Sequence, residues 1–211
     1  MRLLIAIPCM DMINTSFARS LLSLRMEGEV QITFSQGSLI YDSRNQLANI
    51  ALDGNFDRIL WLDSDMVFRG DLLERLSADL DEGRDFVAAL YFGRKAPIRP
   101  ALYRRLGMYP RPVDGATVPV AEPIADWPEE ELFEVEGAGF GAVLMTAQLL
   151  RDVRDRYGLP FSPILGFGED FSFCIRAREL GAKLWCDPRL LVEHEGFHRF
   201  GLEEYKLSKG G

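Results

Sequence analysis

Two carboxylates follow directly on an apolar run in Ile59-Leu60-Trp61-Leu62-Asp63-Ser64-Asp65. Four large apolar residues in a row read as a strand buried on both faces, as a parallel sheet requires. The i, i+2 spacing of Asp63 and Asp65 sends both side chains to the same side of an extended chain. Two like charges so placed repel unless a cation lies between them, and oxygen ligands suit Mg²⁺ or Mn²⁺. The carboxyl end of a parallel strand is also where open α/β sheets bind ligands. A solvated acidic turn is the plainer account of the same letters.

Two rival patterns can be tested on the sequence. An EF-hand loop starting at Asp63 would put Glu74 at its twelfth position, but Phe68 where the turn needs glycine and Val67 where an oxygen ligand belongs. That reading fails. Asp63 to Val67 also matches the DxDx(T/V) pattern of haloacid-dehalogenase phosphatases, whose first Asp ends the first core strand. Here two βα units precede Asp63, which makes it the lesser reading.

Other chemistry-bearing residues lie far away in sequence. Glu169-Asp170 follows Gly166-Phe167-Gly168 and opens a helix. One acid there is accounted for by helix capping and the macrodipole; two adjacent acids behind a flexible approach suggest a catalytic base on a rigid mount. The two histidines, His194 and His198, are both near the C-terminal end of the sequence. His194 follows an apolar run, as Asp63 does, and imidazole is a good Mn²⁺ ligand; a structural or exposed role is the alternative, and the stronger one for His198. In Asp42-Ser43-Arg44-Asn45, Asp42 or Ser43 can cap a helix. Arg44 and Asn45 would then stand in its first turn, with a fork for phosphate or a base and an amide for a base edge. The glycines of Gly137-Ala138-Gly139-Phe140-Gly141 permit close backbone approach to a ligand, although the run precedes a strand and so is not a dinucleotide fingerprint.

The elements that must hold these residues follow a βα rhythm. Leu3–Ile7 is a strand closed by Pro8, a helix runs from about Thr15 to Met26, and Val30–Phe34 is the next strand. A helix over about 43–52 leads to the strand before Asp63. Strand ends near 8, 34 and 62 match the repeat of a βαβ unit. A helix from Asp71 to about Leu80 and the strand Phe86–Leu90 come next. Residues 93–130 hold seven of the eleven prolines; Ala101–Tyr103 fits a strand, and the remainder reads as loop or short hairpin. Regular structure resumes at Leu132–Val135, then the strand Ala142–Thr146, a helix to about Tyr157, the helix from Glu169 to a cap at Gly181, and the strand Lys183–Cys186. The chain divides into a nucleotide-binding half, 1–92, a Pro-rich loop or hairpin region, 93–136, and a catalytic half, 137–211.

Composition bounds the function. At 211 residues, 47% hydrophobic and 27% charged, the chain suits one large α/β domain with a sizeable core. A net charge of −8 argues against general nucleic-acid binding. The N-terminal apolar run ends at Pro8, too short for a signal peptide or membrane span. Three cysteines without CxxC spacing indicate neither a disulfide framework nor a zinc site. These features predict a cytoplasmic enzyme.

In order and spacing, the ordered set resembles the GT-A-fold glycosyltransferases, particularly the inverting family 2-like group. The matching pieces are Ile7-Pro8, Ser43-Arg44-Asn45, Leu62-Asp63-Ser64-Asp65, the 137–141 run, and Gly168-Glu169-Asp170 with its helix through Arg176 to Gly181. The resemblance implies a Rossmann-type, mostly parallel sheet flanked by helices. It implies a UDP- or GDP-sugar donor, with the base near Pro8, Arg44 and Asn45 and the donor also contacting Ser64 and Gly139. Asp65 would ligate Mn²⁺ or Mg²⁺, Asp63 would bind ribose or a metal-bound water, and His194 would complete the site. Asp170 would take the proton of an acceptor hydroxyl, on a glycan or other molecule, with Glu169 binding a sugar. A base has only to be ionised, so this role requires no large upward shift of the Asp170 pKa. A nucleotidyltransferase on a related fold, which should need a basic Gly-rich N-terminal loop, and a non-catalytic nucleotide-sugar or glycan-binding module are the alternatives.

Overall fold

The computed structural model describes residues 1–94, 97–196 and 199–209. The chain runs β1 (Arg2–Cys9), α1 (Thr15–Ser23), β2 (Glu29–Gln36), α2 (Ile40–Asp53), β3 (Arg58–Leu62), β4 (Met66–Val67), α3 (Leu72–Asp81) and β5 (Phe86–Leu90). It continues with β6 (Leu102–Pro110), β7 (Thr117–Pro123), β8 (Phe133–Val135), β9 (Gly137–Ala138), β10 (Ala142–Thr146) and α4 (Ala147–Tyr157). The last elements are α5 (Glu169–Glu179), β11 (Leu184–Leu191), β12 (Glu193–Glu195), β13 (Arg199–Phe200) and α6 (Leu202–Lys209).

Seven strands form the central sheet in the order β2-β1-β3-β10-β5-β11-β8. β1 pairs in parallel with β2 and β3, and β5 with β11, while β10 runs antiparallel to both β3 and β5. The architecture is therefore a mixed α/β fold around a mostly parallel sheet, as the βα rhythm predicts. Apolar runs without polar interruption occupy its middle: β3 beyond Arg58, β5 and β10 up to Met145 are wholly buried. β2, at the edge, is mostly exposed.

Side chains alternate between two cores, one on each face. Leu4, Ala6, Ile59 and Trp61 pack with α2, α4 and α5, whereas Leu3, Ile5, Ile7, Leu60 and Leu62 pack with α1 and α3. Removing a side chain the size of Trp61 from such a core costs about 3–5 kcal/mol.

Several boundaries differ from expectation for identifiable reasons. Helix α2 begins at Ile40, with Leu39 at the cap and no side-chain capping bond. Asp42 and Ser43 therefore lie inside the helix; their amides bond back to Leu39 O. Arg44 and Asn45 move one turn deeper and become buried. The Pro-rich stretch forms the long antiparallel hairpin β6–β7, with β6 also paired to β9. β7 is the outer strand of that small sheet, where proline removes no needed ladder bond, so Pro119 and Pro123 are tolerated. β11 continues past Cys186 through an irregularity between Asp187 and Leu191, which accommodates Pro188.

Candidate active site

The carboxyl edge of the parallel strands gathers most of the predicted residues. β3 ends at Leu62, and the Asp63 amide donates to Gly141 O at 3.1 Å, anchoring the turn on the segment before β10. β4 then pairs antiparallel with β12, His194 opposite Met66. The Glu195 amide donates to Asp65 O at 2.8 Å. This small sheet carries His194 across the chain to Asp65: Nε2 lies 3.3 Å from Asp65 Oδ2. His198 lies outside the described residues.

The ring of His194 is oriented by its other nitrogen, 3.1 Å from the Phe92 carbonyl oxygen. A carbonyl only accepts, so Nδ1 carries a proton and donates. Nε2 then faces a carboxylate oxygen at 3.3 Å, and both atoms carry lone pairs. Either a proton or a cation has to lie between them. An imidazole fixed by a backbone carbonyl and facing a carboxylate is a metal-site pattern, so Asp65 and His194 fit a divalent ion as two of its ligands. Among the described residues no group of three His, Cys, Asp or Glu side chains converges to hold one. Mg²⁺ and Mn²⁺ commonly take their remaining ligands from water and phosphate oxygens. Arg94 Nη1 also reaches Asp65 Oδ2, at 2.8 Å. Burial opposes ionisation of Asp65, but His194 and Arg94 outweigh it and hold the carboxyl below its ordinary value.

A cavity of about 340 Å³ opens at this edge. Pro8, Asp63, Ser64, Asp65 and His194 line it, together with Arg94. Cys9, Gly37 and Ile40 complete part of its wall. Five predicted residues thus share one cavity.

Arg44 and Asn45 do not join it. Arg44 is 2% exposed, with Nη2 at 2.7 Å from Asp63 Oδ1 and Nε at 3.3 Å from Glu169 Oε1. Its guanidinium also lies 5.2 Å from the Phe140 ring centroid and 5.9 Å from that of Trp61. Burial works against its charge; Asp63, Glu169 and Asp170 overcome this and raise its pKa. Asn45 accepts the Phe161 amide at 3.0 Å through Oδ1. Helix α2 starts earlier than its letters suggest, and this turns the pair expected near a nucleotide base inward. Asp63 is itself pushed above the ordinary carboxylate range, burial outweighing the pull of Arg44.

The same guanidinium ties down Glu169, whose side chain is 15% exposed. Through this contact Glu169, expected to bind a sugar, ties the first turn of α5 to helix α2. Asp170 differs. Its Oδ1 accepts the Phe171 amide at 2.7 Å, yet burial first and the Glu169 charge second push its pKa to about 7. The base role asks for no such shift, and burial supplies it all the same. A pKa near neutrality suits a general base.

Gly139, expected to contact the donor, packs against Tyr91. It is buried, and a Cβ there would run into the Tyr91 hydroxyl; at Gly141 it would meet Met66 Cε at 2.6 Å and the Tyr91 ring at 2.9 Å. Both glycines make room for Tyr91. Tyr91 sits edge-on to His194 at 5.6 Å between centroids. Burial pushes its phenol well above its ordinary value, with the charges of Asp63 and Asp170 adding. Tyr103 of β6 packs edge-on to Phe171 at 4.4 Å and feels the Asp170 charge. Sequence reasoning missed Tyr91 and Arg94, although both follow the buried strand β5 as Asp63 follows β3. The rule that singled out Asp63 applies equally to them.

No helix among the described residues is long and apolar enough to cross a membrane. No protein-family model matches the chain, and no curated protein matches its sequence. Solved structures do match. A197 from STIV superposes with a TM-score of 0.66 at 20% identity, over 96% of this chain and 90% of that one. GalNAc-T7, solved with UDP, GalNAc and Mn²⁺, gives 0.60 at 13% identity, over 92% of this chain and 43% of that one. TarS of S. aureus gives 0.52 at 16% identity, over 88% of this chain and 58% of that one. This chain therefore spans less than two thirds of the latter two. Identities this low carry the fold alone, and the fold is GT-A-like: a seven-stranded, mostly parallel sheet with flanking helices.

Proposed function

We propose that this chain is a divalent-metal-dependent glycosyltransferase, moving a sugar from a UDP- or GDP-sugar to an acceptor hydroxyl with inversion. The observation that carries this reading is the pairing of Asp65 with a carbonyl-oriented His194 at one edge of the sheet, bridged through Asp63, Arg44 and Glu169 to Asp170. The GT-A-like fold supports it by analogy, and GalNAc-T7 of similar fold was solved with UDP, GalNAc and Mn²⁺.

Asp65 and His194 would hold Mn²⁺ or Mg²⁺, which when bound stabilises charge on the departing diphosphate. The chain's own groups do the rest. Asp63, kept in register by Arg44, faces the donor cavity with Pro8 and Ser64. Asp170 receives the proton of the acceptor hydroxyl as its oxygen attacks the anomeric carbon from the face opposite the diphosphate. The Phe171 amide donates to that carboxyl, and the Phe171 ring packs edge-on to Tyr103.

Thermal-shift screening of nucleoside diphosphates and nucleotide-sugars, with and without Mn²⁺, tests the donor reading. Stabilisation by a UDP or GDP species only with metal is expected; a response to none of them overturns it. Transfer that survives in Asp170→Asn would overturn the base assignment. Pyrophosphate release from a nucleoside triphosphate would favour a nucleotidyltransferase, and donor binding without metal-stimulated transfer or hydrolysis a binding module.

A further inference from the structure

Arg94 stands at the carboxyl end of β5, and among the described residues lining the Asp65 cavity it is the one arginine or lysine. Its Nη1 contacts Asp65 Oδ2 at 2.8 Å and donates to the Glu195 carbonyl at 3.2 Å. The Asp65 oxygen it holds is the one that His194 Nε2 faces. The guanidinium therefore occupies carboxylate valence that an ion bound by Asp65 and His194 would need. It is held loosely: the side chain is 45% exposed, so it can rotate away without leaving a buried charge behind. Arg44, by contrast, is buried and committed to Asp63 and Glu169.

Charge counting gives Arg94 a second position. Arg44 pairs with Asp63, and once Arg94 is displaced no other arginine or lysine among the described residues lining the cavity offsets Asp65. A nucleoside diphosphate brings two or three negative charges, and one divalent ion does not balance them together with Asp65. A further cation is needed, and a guanidinium fork matches phosphate oxygens bidentately.

We infer that Arg94 is a diphosphate-binding residue that waits on Asp65: a divalent ion displaces it, and the freed guanidinium then grips the diphosphate. This inference rests on the donor reading proposed above and adds a residue to it. Its two halves have opposite signs. Without Arg94 the ion has no competitor for Asp65, whereas the diphosphate loses a partner.

The experiment titrates Mn²⁺ alone into the wild-type chain and Arg94→Ala, reading free Mn²⁺ by its electron paramagnetic resonance signal. UDP and GDP are then titrated calorimetrically at saturating Mn²⁺, with Arg94→Lys as a third protein. Circular dichroism melts check that the variants are folded. Arg94→Ala should bind Mn²⁺ more tightly than wild type, yet bind the nucleoside diphosphate about tenfold more weakly. Arg94→Lys should recover part of that loss, because it keeps the charge without the fork. Unchanged or weaker Mn²⁺ binding in Arg94→Ala overturns the displacement. Unchanged nucleotide affinity, where the wild type does bind, overturns the diphosphate role. A wild type that takes up Mn²⁺ but neither nucleotide overturns the donor reading itself, a result distinct from both.

Discussion

Arg44 holds Asp63 through a 2.7 Å contact between Nη2 and Oδ1, in a position where the guanidinium is 2% exposed. The contact joins helix α2 to the turn after β3, and Nε extends it to Glu169 on α5. One buried cation thus fixes both acidic motifs relative to each other.

Replacing that cation should be costly. Arg44→Met would strand Asp63 and Glu169 without a counter-charge, and breaking a buried pair this way costs about 3–5 kcal/mol. Urea unfolding should register the loss, and adding Asp63→Asn with Glu169→Gln should recover much of it. A loss under about 1 kcal/mol would mean that the pair contributes no more than an exposed salt bridge.

Asp170 should give the reaction an acid limb. A base must be ionised, so kcat/KM should rise with pH through about 7 and level off above it. Asp170→Asn should remove both the activity and the limb while leaving nucleotide binding intact. Rate profiles in a fixed acceptor would check this.

The same carboxyl makes a stability prediction. Its folded pKa of about 7 lies above the ordinary unfolded value near 3.9. The folded state therefore holds the proton more tightly, and the stability this contributes is complete below pH 4 and lost as pH rises through 7. Asp170→Asn, which stays neutral, should melt higher than wild type at pH 8, by roughly 2 kcal/mol or about 5 °C after discounting for solvent screening. At pH 4 the two should melt together.

Metal removal should uncouple nucleotide from fold. At a ligand concentration of about a hundred times Kd, binding adds roughly 2.7 kcal/mol, or about 5–10 °C for a chain of this size. Chelation, Asp65→Ala and His194→Ala should each abolish or sharply reduce that gain. Melting curves with UDP and GDP would decide it.

Gly139→Ala separates packing from ligand contact. Its methyl group collides with the Tyr91 hydroxyl, an overpacking expected to cost about 1–3 kcal/mol. Tyr91→Phe removes the oxygen it strikes, so the double variant should regain most of the stability. If stability were unchanged in Gly139→Ala while donor binding fell, the ligand role first suggested by the sequence would stand.

What the sequence by itself determined is the frame and the edge. Uninterrupted apolar runs such as Ile59–Leu62 and Phe86–Leu90 can only be buried on both faces, and alternation with helices of matching length makes their sheet mostly parallel. The strand end at Asp63 and the helix start at Glu169 were legible because burial pattern and helix-end chemistry are local. Side-chain destinations were not. Arg44 looks like an exposed first-turn residue until the start of α2 at Ile40 and the aromatic floor of Trp61 and Phe140 turn it inward. Gly139 looks free until Tyr91, almost fifty positions away, fills its space. His194 finds Asp65 only because β12 pairs with β4, and Arg94 reaches the same oxygen from the end of β5. Burial and like-charge neighbours, both products of tertiary packing, raise Asp170 to about 7. Contacts between distant residues, and the low-dielectric surroundings they create, are set by how the layers close, and no local pattern encodes them.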